Sequence, residues 1–329
     1  MSTAAPPVTA RPDARAGPRE RTSVRPPSRL VYVARAAAAA SAVLLIAYLG
    51  ISYKYADTLT RVERHAPVRS AANVAPTHED VTFTASDGVN LKGWWFAAPS
   101  PRQRAVVIVH GKDQTRIDSS FDAGRIAHVL LERGYSALLF DLRGHGESEG
   151  LRWGLGKHEA LDVAAAVDLA AAKANVPRSR VAIVAESMGA GSAMMALDRV
   201  PDVGPMVLDS VYTSAATVID EIGPSVSGLP SWFTPGMELM AQTFFGLDVD
   251  AVQPVRVVRA HPERAFLFLR CDNDTTVSPH HGAEMKAAST NAATELVTFT
   301  GCGHVKALIT YPSEWEGRVV TFLEGQLGK

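Results

Sequence analysis

Residues 181–196, VAIVAESMGAGSAMMA, decide how this chain is read. The first five are β-branched or small and form a run of buried-strand type. From residue 188 to residue 200 the spacing is helical. Only Glu186 and Ser187 are left between them, so strand and helix meet at a very tight turn. Ala185, Gly189 and Gly191 are small enough for that turn to close without clash. A serine at such an elbow exposes its hydroxyl, and the N–H of the next residue, Met188, faces the helix entrance. The elbow pattern G-x-S-x-G has glycine where this chain has Ala185, a difference of one methyl. The competing use of Ser187 is as a plain helix N-cap.

Outward from this stretch, strands alternate with helices. Strand patterns cover 80–85 and 90–96 around the turn Asp87-Gly88, then 104–110, 136–141, 205–209, 265–270 and 295–300. Helical spacing covers 119–133, 157–174, 283–288 and 314–327. The alternation predicts an α/β fold: a mostly parallel sheet covered on both faces, with the first two strands as an antiparallel edge. A long insertion, about 214–262, separates two of the later strands and is expected as a helical cap above the sheet's C-terminal edge.

Chemistry in such sheets collects at that edge. A serine hydroxyl needs a base to take its proton, and the base needs a carboxylate to orient it. The loop after strand 265–270, CDNDTTV, offers Asp274, and the loop after strand 295–300, GCGH, offers His304. The order Ser187, Asp274, His304 is the one this architecture requires. Asp209 and Asp272 compete with Asp274 for the acid; the two that lose are turn formers or caps. The loop His110-Gly111-Lys112 closes a further strand. Its Lys112 N–H pairs with the Met188 N–H as the expected oxyanion donors, and His110 is read as orienting that loop.

Composition removes other classes. Thirty-three Lys plus Arg against 34 Asp plus Glu give a net charge of -1, without the excess of positive charge that nucleic-acid binding uses. Two cysteines exclude a four-cysteine metal site, and no HExxH occurs, so no metal or cofactor is expected. The segment DLRGHGES, 141–148, lacks the Lys-Ser/Thr pair of a phosphate loop; Arg143 and His145 in it are read as structural.

The N-terminal quarter has a different composition. Residues 1–29 hold six of the 20 prolines and six arginines, a composition that cannot bury a core and reads as a disordered tail. Residues 30–52, LVYVARAAAAASAVLLIAYLGIS, carry one charge, Arg35. As a helix they would reach roughly 35 Å, enough to cross a bilayer. The arginines ahead of this run predict a cytoplasmic N-terminus and a catalytic domain on the other side of the membrane. A cleaved signal peptide and a soluble alanine-rich helix are the competing readings. Residues 53–76 read as a polar stalk, and 77–329 as the folded domain.

Taken together, the strand ending in HG, DLRGHGES, the elbow, D-x-x-V and the GH before a final helix resemble the α/β-hydrolase superfamily over about residues 79–327. Within it the chain looks most like membrane-anchored abhydrolase-domain serine hydrolases. The resemblance implies an acyl hydrolase without metal, acting on carboxylic ester, thioester or lipid acyl substrates. An amidase or peptidase of the same fold and a non-catalytic membrane-tethered interaction protein are the alternatives. The apolar content of the cap insertion suits either an acyl pocket or ordinary packing. Cys271 and Cys302 lie close in sequence to Asp274 and His304, and either bridge the acid and base loops or remain two buried thiols.

Overall fold

A computed structural model describes residues 1–2, 4–5, 28–118 and 120–328. The expected N-terminal tail lies almost wholly outside the described residues. The chain divides into two units, Met1–Ile46 and Ala47–Lys329. In the first, residues 29–46 are helical and solvent-exposed, and they begin a 32-residue helix, α1 (Arg29–Thr60).

Among the described residues, the second unit holds eight strands: β1 (Glu79–Thr84), β2 (Asn90–Phe96), β3 (Ala105–Val109), β4 (Ser136–Phe140), β5 (Val181–Glu186), β6 (Met206–Asp209), β7 (Phe266–Cys271) and β8 (Glu295–Phe299). They form one sheet in the order β1-β2-β4-β3-β5-β6-β7-β8. β1 and β2 pair antiparallel at one edge, and the six strands from β4 to β8 run parallel. Every residue of β3, β4 and β5 is buried, as strands covered on both faces must be.

The strand period of two sorts the core into two layers. Val107 and Val109 face α3 (Glu159–Ala174) and α4 (Ser187–Ala196), whereas Val106 and Ile108 face α2 (Ala123–Glu132) and the closing helix. The insertion after β6 forms α5 (Ala215–Ser227), α6 (Thr234–Phe245) and α7 (Pro254–Ala260). Val257 and Val258 of α7 return to the main core, so the part standing apart from it is α5 and α6, which pack in small apolar clusters of their own. α8 (His280–Ala288), α9 (Ala307–Thr310) and α10 (Pro312–Leu327) complete the chain. The segment expected as a stalk is helical to Thr60. It then lies along the domain, with Ala71 and Val74 buried and Arg69 paired to Asp118 and Asp122.

Candidate active site

β5 ends at Glu186 and α4 begins at Ser187, with no loop between them. To reverse direction in that space Ser187 takes φ 48°, a left-handed conformation that costs a non-glycine residue on the order of 1–3 kcal/mol. The turn closes because α4 can approach β3. A methyl group at Gly189 would come 2.8 Å from the Val109 carbonyl oxygen and nearer still to that of His110.

The loops after β7 and β8 bring the other two side chains to this hydroxyl. His304 Nε2 lies 2.9 Å from Ser187 Oγ, and His304 Nδ1 lies 2.7 Å from Asp274 Oδ2. Asp274 is held by its other oxygen, Oδ1, which accepts the N–H groups of Thr276 at 2.9 Å and Val277 at 2.8 Å. This turn, with two N–H groups on one oxygen, is the physical content of the D-x-x-V spacing: it commits Oδ1 to backbone and leaves Oδ2 for the imidazole. The rival carboxylates are engaged elsewhere. Asp272 Oδ1 accepts the Gly301 N–H at 2.6 Å, and buried Asp209 accepts the indole N–H of Trp315 at 3.1 Å and the hydroxyl of Ser210. A disulfide joins Cys271 to Cys302, with Cα atoms 5.2 Å apart, and so ties the Asp274 loop to the His304 loop.

On the opposite side of Ser187 lies the His110-Gly111-Lys112 loop. Met188 N–H belongs to the first turn of α4, whose N–H groups have no acceptor inside the helix. Two buried imidazoles fix the loop that carries Lys112. His110 Nε2 accepts the Leu142 N–H at 3.0 Å, which leaves its Nδ1–H to donate to the Gly111 carbonyl at 2.7 Å. His145 Nε2 accepts the Asp113 N–H at 3.0 Å, and its Nδ1–H donates to the Arg143 carbonyl at 2.9 Å. Burial pulls their pKa values down, to about 4 for His110 and about 3 for His145, so both rings are neutral at physiological pH. Arg143 is paired with Asp162 at 2.7 Å and Asp87 at 2.6 Å, away from the serine. His110, Arg143 and His145 therefore hold loops in place.

Sequence reasoning passed over Glu186. Its side chain is fully buried, and Oε1 accepts the Gly111 N–H at 3.0 Å, pinning the residue next to Lys112. Burial raises its pKa to about 8, so the carboxyl is largely neutral at pH 7. The only signal in the sequence was an acid inside a run of apolar and small residues, where an ionised group has no place.

This geometry, a carboxylate, an imidazole and an alcohol in one hydrogen-bonded line, is the arrangement through which a hydroxyl loses its proton. Known proteins share the frame. Rv2307c, an uncharacterized protein of Mycobacterium tuberculosis, is 36% identical over 153 residues, 46% of this chain and 52% of its own length. YfhR of Escherichia coli, also uncharacterized, is 27% identical over 150 residues, 44% of this chain and 51% of its own length. The chain spans about half the length of the curated relatives it matches. Among solved structures, a Pyrococcus furiosus esterase, Pf2001, superposes with a TM-score of 0.68 at 24% identity, covering 82% of this chain and 98% of that one. A Rhodococcus esterase, RhEst1, does so with a TM-score of 0.52 at 17% identity, covering 75% and 99%. These two likenesses establish the fold. The serine aminopeptidase S33 family matches residues 100–265, half of the 329 residues, and the chain belongs to that family within the α/β-hydrolase superfamily.

Proposed function

We propose that this hydrolase is a serine esterase that cleaves carboxylic ester or related acyl bonds through an acyl-enzyme intermediate. The observation that carries the reading is the unbroken contact from Asp274 through His304 to Ser187, 2.7 and 2.9 Å. His304 Nε2 takes the Ser187 proton as Oγ attacks the carbonyl carbon, while Asp274 fixes the tautomer and stabilises the imidazolium. The N–H groups of Lys112 and Met188 receive the oxyanion. His304 then protonates the leaving alcohol and, in the second half, activates the water that releases the acid. Glu186, His110 and His145 act as positioning residues for the Lys112 side of this site.

The 32-residue α1 includes a stretch of mean hydropathy 2.0, long and apolar enough to cross a membrane. With the arginines preceding it, this supports a single-span anchor, N-terminus cytoplasmic and catalytic domain outside. A disulfide in the domain fits an oxidising compartment. A second reading, peptide or amide cleavage, is favoured by the family description, serine aminopeptidase.

A fluorophosphonate probe is expected to label the wild-type chain and not Ser187→Ala, with turnover of 4-nitrophenyl esters abolished in the same variant. Retained ester turnover by Ser187→Ala would overturn the assignment. Matched ester and amide substrates separate the two readings.

A further inference from the structure

We infer that the cap is seated in the interfacial layer of a lipid bilayer, so that acyl substrates enter the site from the membrane. The inference rests on the reading of residues 30–52 as a membrane span and names the partner and substrate class of the same site.

The last turn or so of that apolar run does not stand clear of the domain; it packs on the cap. Tyr48 stacks on Trp232 and Phe233 at ring-centroid distances of 5.7 and 5.1 Å, and its hydroxyl donates to the Trp232 carbonyl at 3.0 Å. One turn on, Tyr53 meets Phe244 edge-on at 5.1 Å. α6 comes so close to α1 here that a methyl group at Gly236 would lie 2.6 Å from the Tyr48 hydroxyl. From Tyr48 to Ser52 the helix rises only about 6 Å. Cap residues that touch Tyr48 therefore sit at the depth where Trp and Tyr collect in membrane proteins.

The cap leaves the matching chemistry exposed. Trp232 and Phe244 are each 60% exposed, Val226 59% and Leu239 50%, an apolar set that water would not favour and an acyl–headgroup boundary would. The site is within reach of that boundary. The Trp153 indole donates to the Leu59 carbonyl at 3.0 Å, and the same ring lies 5.1 Å from Lys112 Nζ, on the oxyanion loop. Leu59 stands about 10 Å along the helix from Ser52, less than the length of an acyl chain.

Trp232 is also the probe. The other four tryptophans, at 94, 95, 153 and 315, are buried or half-buried. Full-length protein in phosphatidylcholine vesicles brominated near the carbonyl end of the acyl chain should lose part of its tryptophan emission, and Trp232→Phe should lose most of that quenchable part. The double variant Trp232→Ser with Phe244→Ser should fall roughly tenfold on a long-chain ester dissolved in the vesicles, and keep its rate on water-soluble 4-nitrophenyl acetate. No quenching in wild type that resists carbonate extraction, an equal quenched fraction in Trp232→Phe, or an unchanged rate on the vesicle-borne ester would overturn the inference. Release of the protein by carbonate would overturn the anchor and the seating together. Quenching at Trp232 in a protein inert to both esters would support the seating and overturn the esterase reading together with the proposed route for acyl substrates.

Discussion

On one side of Ser187 the His304 ring remains partly open, with 23% of its side chain exposed and the Asp274 carboxylate behind it. On the other side His110, His145 and Glu186 are buried, and burial keeps all three neutral near pH 7. The same residue types thus serve opposite ends. In the proposed mechanism the side that passes a proton keeps a carboxylate in contact with an imidazole that solvent can reach. The side proposed to present two N–H groups still uses polar groups that burial keeps neutral near pH 7. In the proposed mechanism, reactivity comes from where a histidine is placed rather than from its being a histidine.

The sharpest way to break that contrast is to alter the proton-passing side. Asp274→Asn leaves the shape and reverses the hydrogen-bonding preference at His304 Nδ1, so kcat is expected to fall on the order of 10^4-fold. Asp272→Asn, two residues away and bonded to Gly301, should stay within about tenfold of wild type. Comparable losses in both would show that the loop, rather than the Asp274–His304 contact, carries the effect.

Next in size is the covalent tie between the acid and base loops. Replacing Cys271 and Cys302 together by serine opens a loop of sequence separation 31. The expected loss is about 3–4 kcal/mol of unfolding free energy, read from denaturant titration with and without reductant. Reductant should destabilise the wild type and leave the serine pair unchanged. A wild-type midpoint indifferent to reduction would mean the bridge does not stabilise the fold.

The smallest effect tests the quiet side. An unfolded glutamate ionises near 4.5, whereas folded Glu186 holds its proton to about 8. Between those values the unfolded chain has released a proton that the folded chain keeps, so stability falls as pH rises. Glu186→Gln keeps an acceptor for Gly111 N–H and cannot ionise. It should be more stable than wild type by about 2 kcal/mol at pH 6, with the gain vanishing below about pH 4.5. A pH-independent difference would place the Glu186 carboxyl outside this electrostatic setting.

Much of the sheet was legible because its strands are short apolar runs punctuated by glycine, aspartate and histidine at one edge. Ser187, Asp274 and His304 could be proposed because each lies within five residues of a strand's C-terminal end, and the chain order leaves few pairings. Glu186 could not, since its role depends on Gly111, 75 residues away in sequence and brought beside it only by the β3–β5 pairing. The neutral tautomers of His110 and His145 were equally hidden, because they are set by the backbone N–H groups of Leu142 and Asp113. The packing of Tyr53 on α6 was hidden as well, because the helix runs past residue 52 to Thr60. Composition marks where residues become polar, but not where a helix ends.

The left-handed turn at Ser187 carries one more implication. Of the residues that fit there, glycine would relax the backbone most, by about 1 kcal/mol, and would remove the oxygen proposed to be acylated. Thermodynamic preference and chemical usefulness point in opposite directions at this position, so a search for hardier versions of the molecule would, if unconstrained, drift toward inert ones.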